Sequence, residues 1–360
     1  MTLLEVEDLQ TQFQTDRGTI KAVNGVDLSI EPGEIVGLVG ESGSGKSVLA
    51  SSILQMVEGN GEVVGGDVRF EGASLREKTE TEMARIRGNR ISIAFQDAAG
   101  GLNPTVTVGE QIAEAIRLHQ DTGESTRLPA EMKRKILGAS KNTESWRKAI
   151  EMLESVQIPA PESRADDYPH EFSGGMQQRA MIAMALSCEP DLLIADEPTT
   201  GLDVTIQAQI LEKLKNLRAE FETAILFITH DLGVVSETCD RVNVMYAGEI
   251  IEKATTRELF DNPQHPYTQQ LLKSTPRLDD PQEELRAITG NVPDLIDIPY
   301  ACHFAPRCGE STRECFEMEP EMRAAGENED MDHEAACHYR GIPEGERPTP
   351  ADEALVGEER

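Results

Sequence analysis

Residues 40–47 read GESGSGKS, preceded by the apolar run GEIVGLV at 33–39 and followed by VLASSILQM at 48–56 with helical spacing. The octet fits G-x-x-x-x-G-K-[ST] in the strand, loop and helix setting the pattern requires. Gly40, Gly43 and Gly45 let the backbone curl so that consecutive N–H groups face phosphate oxygens, and the following helix adds the positive end of its dipole. Lys46 is placed to reach the outer phosphates, and Ser47 to offer a hydroxyl to Mg²⁺. A loop of this kind predicts an α/β fold with a largely parallel, buried sheet.

Further strands fit that fold: LLEVEDLQTQF at 3–13, AVNGVDLSI at 22–30, ISIAF at 91–95, DLLIAD at 191–196 and TAILFIT at 223–229. Between them, Ile206, Ile210, Leu214, Leu217 and Phe221 recur at helical spacing. The apolar run at 191–195 ends in Asp196 and Glu197, which suits a carboxylate for the metal and a second one to orient or deprotonate an attacking water. In EFSGGMQQRAMIAMAL at 171–186, Ser173 and two glycines open an apolar helix, a further place where N–H groups and a hydroxyl meet a phosphate. The same residues also read as an ordinary capped helix start. Gln96 after ISIAF, the turn TTGLDV at 199–204 and His230 after TAILFIT decide between the two.

Composition bounds the alternatives. The 360 residues carry 34 Lys plus Arg against 65 Asp plus Glu, a net charge of −31. That balance argues against nonspecific nucleic-acid binding, which needs basic residues to neutralise phosphates. The acids are spread along the chain instead of forming one tail, which reads as adaptation to high salt, where screening removes their repulsion. No apolar run reaches membrane-spanning length, and MTLLEVEDLQ has no basic n-region, so an intracellular soluble chain is expected.

In chain order, GESGSGKS, the Gln of AFQDAAGGLNP, FSGGMQQR, LLIADEPTTGLD and the His of FITHD resemble the Walker A, Q-loop, signature, Walker B, D-loop and H-loop of ATP-binding-cassette proteins. The resemblance implies a P-loop cassette with a RecA-like core, an antiparallel β subdomain and a helical signature subdomain. It also implies two cassettes closing head to tail, with ATP between the Walker A of one and the signature of the other. Ser42, Gly43, Ser44, Gly45, Lys46, Ser47 and Val48 would then surround the phosphates, and Phe13 would stack on adenine. The competing reading of Phe13 is a packing residue on an edge strand. Ser47, Gln96 and Asp196 would hold Mg²⁺, while Glu197 acts as catalytic base, with His230 and Lys46 at the γ-phosphate. Ser173, Gly174, Gly175 and Gln177 would face the partner's ATP, with Asp203 in the D-loop. Phe172 and Met176 depart from the common Leu-Ser-Gly-Gly-Gln signature, and QDAAGGLNP departs where a permease would dock.

HPYTQQLL at 265–272, the run from Ile288 to Pro320 and AACH at 335–338 resemble the C-terminal extension of ATP-binding subunits in the dipeptide/oligopeptide/nickel importer family. The implied assembly is a second, often non-identical ATPase subunit and two permeases, fed by a substrate-binding lipoprotein, with this chain peripheral on the cytoplasmic face. ATP hydrolysis would reset the permease. Nickel or short oligosaccharides are alternative cargoes, and a soluble non-transport ATPase is a more distant alternative. The expected boundaries are a cassette over 1–262, an extension over 263–340 and a flexible tail over 341–360, with an exposed insertion of underived role at 120–147.

Cys188 and Cys239 lie in apolar helical patterns and are expected to be buried. Cys302, Cys308, Cys315 and Cys337 are spaced C-x5-C-x6-C-x21-C in a proline-rich segment poor in core residues. Such a segment invites a metal staple. Zinc takes four thiolates but favours tighter knuckles, an iron–sulfur cluster accepts wider spacing, and uncomplexed thiols are the third option. The resembled family implies a [4Fe–4S] cluster. The nearby His303, His333 and His338 are expected at the surface.

Overall fold

The computed structural model describes residues 2–124, 126, 141–274, 288–296, 300–325 and 333–340. Most of the 120–147 insertion and the whole 341–360 tail lie outside the described residues. The strands are β1 Leu4–Thr15, β2 Gly18–Ile30, β3 Ile35–Val39, β4 Gly61–Phe70, β5 Ala73–Ser74, β6 Ile91–Ala94, β7 Leu192–Asp196, β8 Ala224–Thr229, β9 Arg241–Tyr246, β10 Glu249–Thr255, β11 Arg323–Ala324 and β12 Glu334–Ala335. Contacts group the chain into two compact units, one of residues 30–34 and 77–228, the other of 2–29, 35–76 and the described part of 229–360.

In the first unit β7 pairs in parallel with β6 and β8, and Asp196 stands opposite Ile228. Every residue of β7 is buried, as a continuous apolar strand covered on both faces must be. Its helices Val108–His119 and Glu144–Ser155 pack through Ile112, Ile116, Trp146 and Leu153, all buried. Beneath them Arg117 donates to the Glu110 carboxylate at 2.6 Å and to the Ser145 hydroxyl at 3.2 Å. The two charged residues lie seven apart and share one helix face.

The second unit holds an antiparallel sheet in the order β2-β1-β4-β5 and a run of strands ordered β11-β12-β10-β9-β3. Phe13 pairs with Gly61 on β4. Because β1 lies between two neighbours, Phe13 is on an interior strand, not the edge expected for its packing alternative. β3 runs parallel to β9, whereas β10 and β12 are antiparallel additions. The C-terminal extension joins this unit by adding β12 to β10 and by the Lys21 N–H donating to the Leu295 carbonyl at 3.0 Å.

One carboxylate ties three stretches of this unit together. Glu252 on β10 is fully buried and accepts the Gln264 N–H at 2.7 Å, the His265 N–H at 2.8 Å and a contact from His333 Nε2 at 2.8 Å. His265 in turn caps the helix Pro266–Lys273 by accepting the Tyr267 N–H at 3.0 Å. Glu252→Ala strips a carboxylate from two buried donors and an imidazole, and is expected to cost about 3 kcal/mol. Thermal unfolding of the full chain measures it. A loss below about 1 kcal/mol would mean that water replaces the carboxylate.

Candidate functional site

The phosphate loop lies in the second unit, between β3 and the helix Lys46–Ile53. Gly45 has φ +105°, and a Cβ there would collide with the Ala22 carbonyl oxygen. A Cβ at Gly40 would collide with the Met245 carbonyl oxygen. The loop is therefore seated directly on the main chain of β2 and β9, and glycine is required at both points. Lys46, 6% exposed, donates from Nζ to the Gly40 and Glu41 carbonyls at 2.8 Å each and to Ser44 Oγ at 3.3 Å. The loop thus curls around its own ammonium group. Ser42, Gly43 and Ser47 are exposed, Val48 is half-buried, and Ser44 is buried. Phe13 is half-buried beside Gly61, and His230 is exposed at the end of β8.

The first unit carries the carboxylates. Asp196 closes β7 and is 4% exposed. Glu197 follows in the left-handed region at φ +48°, a conformation that costs a non-glycine residue about 1 kcal/mol or more and is common at functional sites. Its N–H donates to the Ile228 carbonyl at 2.8 Å, which fixes that turn. Its Oε2 receives Gln96 Nε2 at 3.1 Å and Thr200 Oγ1 at 3.0 Å. Two residues identified separately in the sequence, Gln96 and Glu197, therefore meet. Thr200 was not singled out, although a hydroxyl three residues after the acid is the available signal.

Ser173 caps the helix Gly174–Leu186, its hydroxyl accepting the Met176 N–H at 3.4 Å, and both Ser173 and Gly174 are exposed. The capped-helix reading is therefore true, and it leaves the glycine N–H groups at the surface. Phe172 is buried, so its departure from the common signature is a core packing change. Gln177 donates one amide N–H to the Pro169 carbonyl at 2.7 Å. Asp203 accepts the Ile206 N–H at 3.1 Å and caps the helix Val204–Phe221.

In the extension, Cys302, Cys308, Cys315 and Cys337 line one small cavity with His265, Phe304 and His338. Burial pushes the Cys302 thiol from 9.0 up to about 12 and the Cys308 thiol up to about 11. Cys188 and Cys239 are buried as expected. The expected surface histidines are not at the surface: the side chains of His303, His333 and His338 are 6%, 2% and 12% exposed. Each imidazole has a partner that allows burial, namely Glu249 at 3.2 Å, Glu252 at 2.8 Å and the Met318 carbonyl at 3.1 Å.

Residues 23–200 match the family described as ABC transporter, and residues 251–315 match the family described as oligopeptide/dipeptide transporter, C-terminal region. The chain is 47% identical over 322 residues to the oligopeptide transport ATP-binding protein AppD of Bacillus subtilis, covering 89% of this chain and 93% of that protein. This chain belongs to the ABC transporter family. It is also 45% identical over 313 residues to the oligopeptide transport ATP-binding protein OppD of Haemophilus influenzae, covering 87% and 91%. Among solved structures, it is similar to the dimeric post-hydrolysis state of the ATP-binding cassette MJ0796 bound to ADP and Pi. The TM-score is 0.61 at 26% identity, covering 71% of this chain and 99% of that one.

Membership makes the ABC chain an ATP-hydrolysing subunit with ATP and Mg²⁺ as its expected ligands. No helix among the described residues is long and apolar enough to cross a membrane. Two expectations are corrected. The [4Fe–4S] cluster at Cys302, Cys308, Cys315 and Cys337, with its zinc alternative, is not supported. Among the described residues no group of three or more His, Cys, Asp or Glu is placed to hold a metal ion. The high-salt reading of the charge is also withdrawn, because relatives sharing nearly half of the sequence come from Bacillus subtilis and Haemophilus influenzae. Net charge bears on solubility and association, and by itself does not fix a habitat.

Proposed function

We propose that this ABC subunit hydrolyses ATP to drive import of dipeptides or oligopeptides, as a peripheral subunit on the cytoplasmic face of a membrane transporter. The observation that carries the reading is that one chain matches both the ABC transporter family and the oligopeptide/dipeptide transporter C-terminal region. Its partners are then a second cassette, a non-identical paralogue, two permeases and, indirectly, a substrate-binding lipoprotein. The cassette spans 1–262 and the extension 263–340.

In the proposed mechanism, N–H groups of Gly43, Gly45 and Lys46 and the Lys46 ammonium bind the ATP phosphates, flanked by Ser42, Ser44 and Val48, with Phe13 against adenine. Ser47, Gln96 and Asp196 would hold Mg²⁺, because a hydroxyl, an amide oxygen and a carboxylate are the hard oxygen donors that suit it. Mg²⁺, when bound, neutralises charge building on the phosphate oxygens. Glu197 accepts the proton of the attacking water, held by Gln96 and Thr200 in the orientation described above, and His230 hydrogen-bonds the γ-phosphate. Ser173, Gly174, Gly175 and Gln177 serve the partner's nucleotide, next to Asp203.

Reconstitution with its permeases and binding protein in proteoliposomes tests the cargo. A peptide library is expected to raise ATP turnover several-fold over the level without binding protein. Stimulation by nickel or oligosaccharides, with none by peptides, would overturn the assignment.

A further inference from the structure

Glu41, the second residue of the phosphate loop, is held from the C-terminal extension at two separate points. Its N–H donates to the Tyr267 hydroxyl at 2.9 Å. Its carboxylate receives Arg307 Nη1 at 3.0 Å on one oxygen and Arg307 Nη2 at 3.2 Å on the other. The Glu41 carbonyl completes the set by accepting Lys46 Nζ at 2.8 Å and the Ser44 N–H at 3.2 Å.

The clamp is itself rigid. The Arg307 side chain is 6% exposed, donates to the Tyr246 hydroxyl at 3.2 Å and from Nε to the Thr289 carbonyl at 3.0 Å, and lies over the Tyr246 and Phe304 rings. Tyr267 is fully buried, with its ring centroid 4.6 Å from that of Tyr246 and 5.4 Å from that of Phe304. A two-pronged guanidinium–carboxylate pair fixes orientation as well as distance. The segment it fixes contains Gly40, Gly43 and Gly45, which would otherwise sample many backbone states before binding phosphate.

We propose that Arg307 and Tyr267 are positioning residues that hold the phosphate loop in its nucleotide-binding shape through Glu41, so that the C-terminal extension sets the affinity of this cassette for MgATP. The proposal rests on the reading of residues 40–47 as the ATP phosphate site. It assigns the extension a part in nucleotide binding, beyond any role in cargo transport.

The test uses the full chain, with a fluorescent ATP analogue plus Mg²⁺ for affinity and phosphate release for turnover. Arg307→Ala is expected to weaken MgATP binding about tenfold and Tyr267→Phe about threefold, with turnover at saturating ATP within about twofold of the parent. Arg307→Lys, which keeps the charge but loses the fork, is expected to recover part of the loss. Tyr267→Phe retains the packed ring, so it decides the matter if Arg307→Ala does not fold. Unchanged affinity in correctly melting variants overturns the proposal, as does lost turnover at unchanged affinity. Lys46→Ala separates the two readings. If it binds nucleotide as well as the parent does, the phosphate-site reading fails and takes this proposal with it. If it abolishes binding while Arg307→Ala and Tyr267→Phe change nothing, only this proposal fails.

Discussion

Glu197→Gln is expected to lower ATP turnover by at least about 100-fold while MgATP binding stays within about threefold of the parent. The amide has the shape of the carboxylate and still accepts from Gln96 and Thr200, whose distances of 3.1 and 3.0 Å it has no steric reason to change. What it loses is the capacity to take a proton from water. The left-handed backbone at Glu197 is common to both side chains, so strain does not confound the comparison. Phosphate release with parallel binding of a fluorescent ATP analogue reads both quantities. Turnover near the parental value would remove Glu197 from the role of base.

Gly45→Ala is expected to weaken MgATP binding by about 100-fold or more. A methyl group there meets the Ala22 carbonyl oxygen, part of β2 and unable to rotate away, and Gly45 also has φ +105°. Left-handed strain and a main-chain collision together cost about 3 kcal/mol, which converts to about 100-fold when it is paid by displacing the loop. Gly43→Ala is the control. It shares a positive φ of +81° but would find nothing within 4 Å, so strain alone of about 1 kcal/mol limits its effect to roughly fivefold. Equal losses in the two variants would show that backbone freedom, and not the seat on Ala22, governs the loop.

Features with a local pattern were legible before the fold was known. The octet at 40–47, the buried strand ending in Asp196 and Glu197, and the capped start at Ser173 each draw their form from neighbours in sequence, where propensity, capping and periodicity act. Side chains that meet across long separations left no such pattern. Nothing near Glu41 announces Arg307, 266 residues away, and nothing near Glu252 announces His333, 81 residues away. The sequence reading puts His333 at the surface, and the structure buries it. The two-residue strands β11 and β12 are too short to carry alternation. The cysteines show a different failure: closeness in sequence did bring the four thiols to one cavity, but it does not specify the directions that coordination demands.

The buried carboxylate on β10 also bears on how this chain is made. Glu252 leaves the ribosome well before His333, so for part of synthesis its last partner does not yet exist. A nascent chain halted in that interval holds a charged group whose burial is only partly compensated, and completion of the extension seals it. A chain ending before residue 333 lacks the Glu252–His333 contact and is expected to be cleaved faster than the full chain, a difference that limited proteolysis measures.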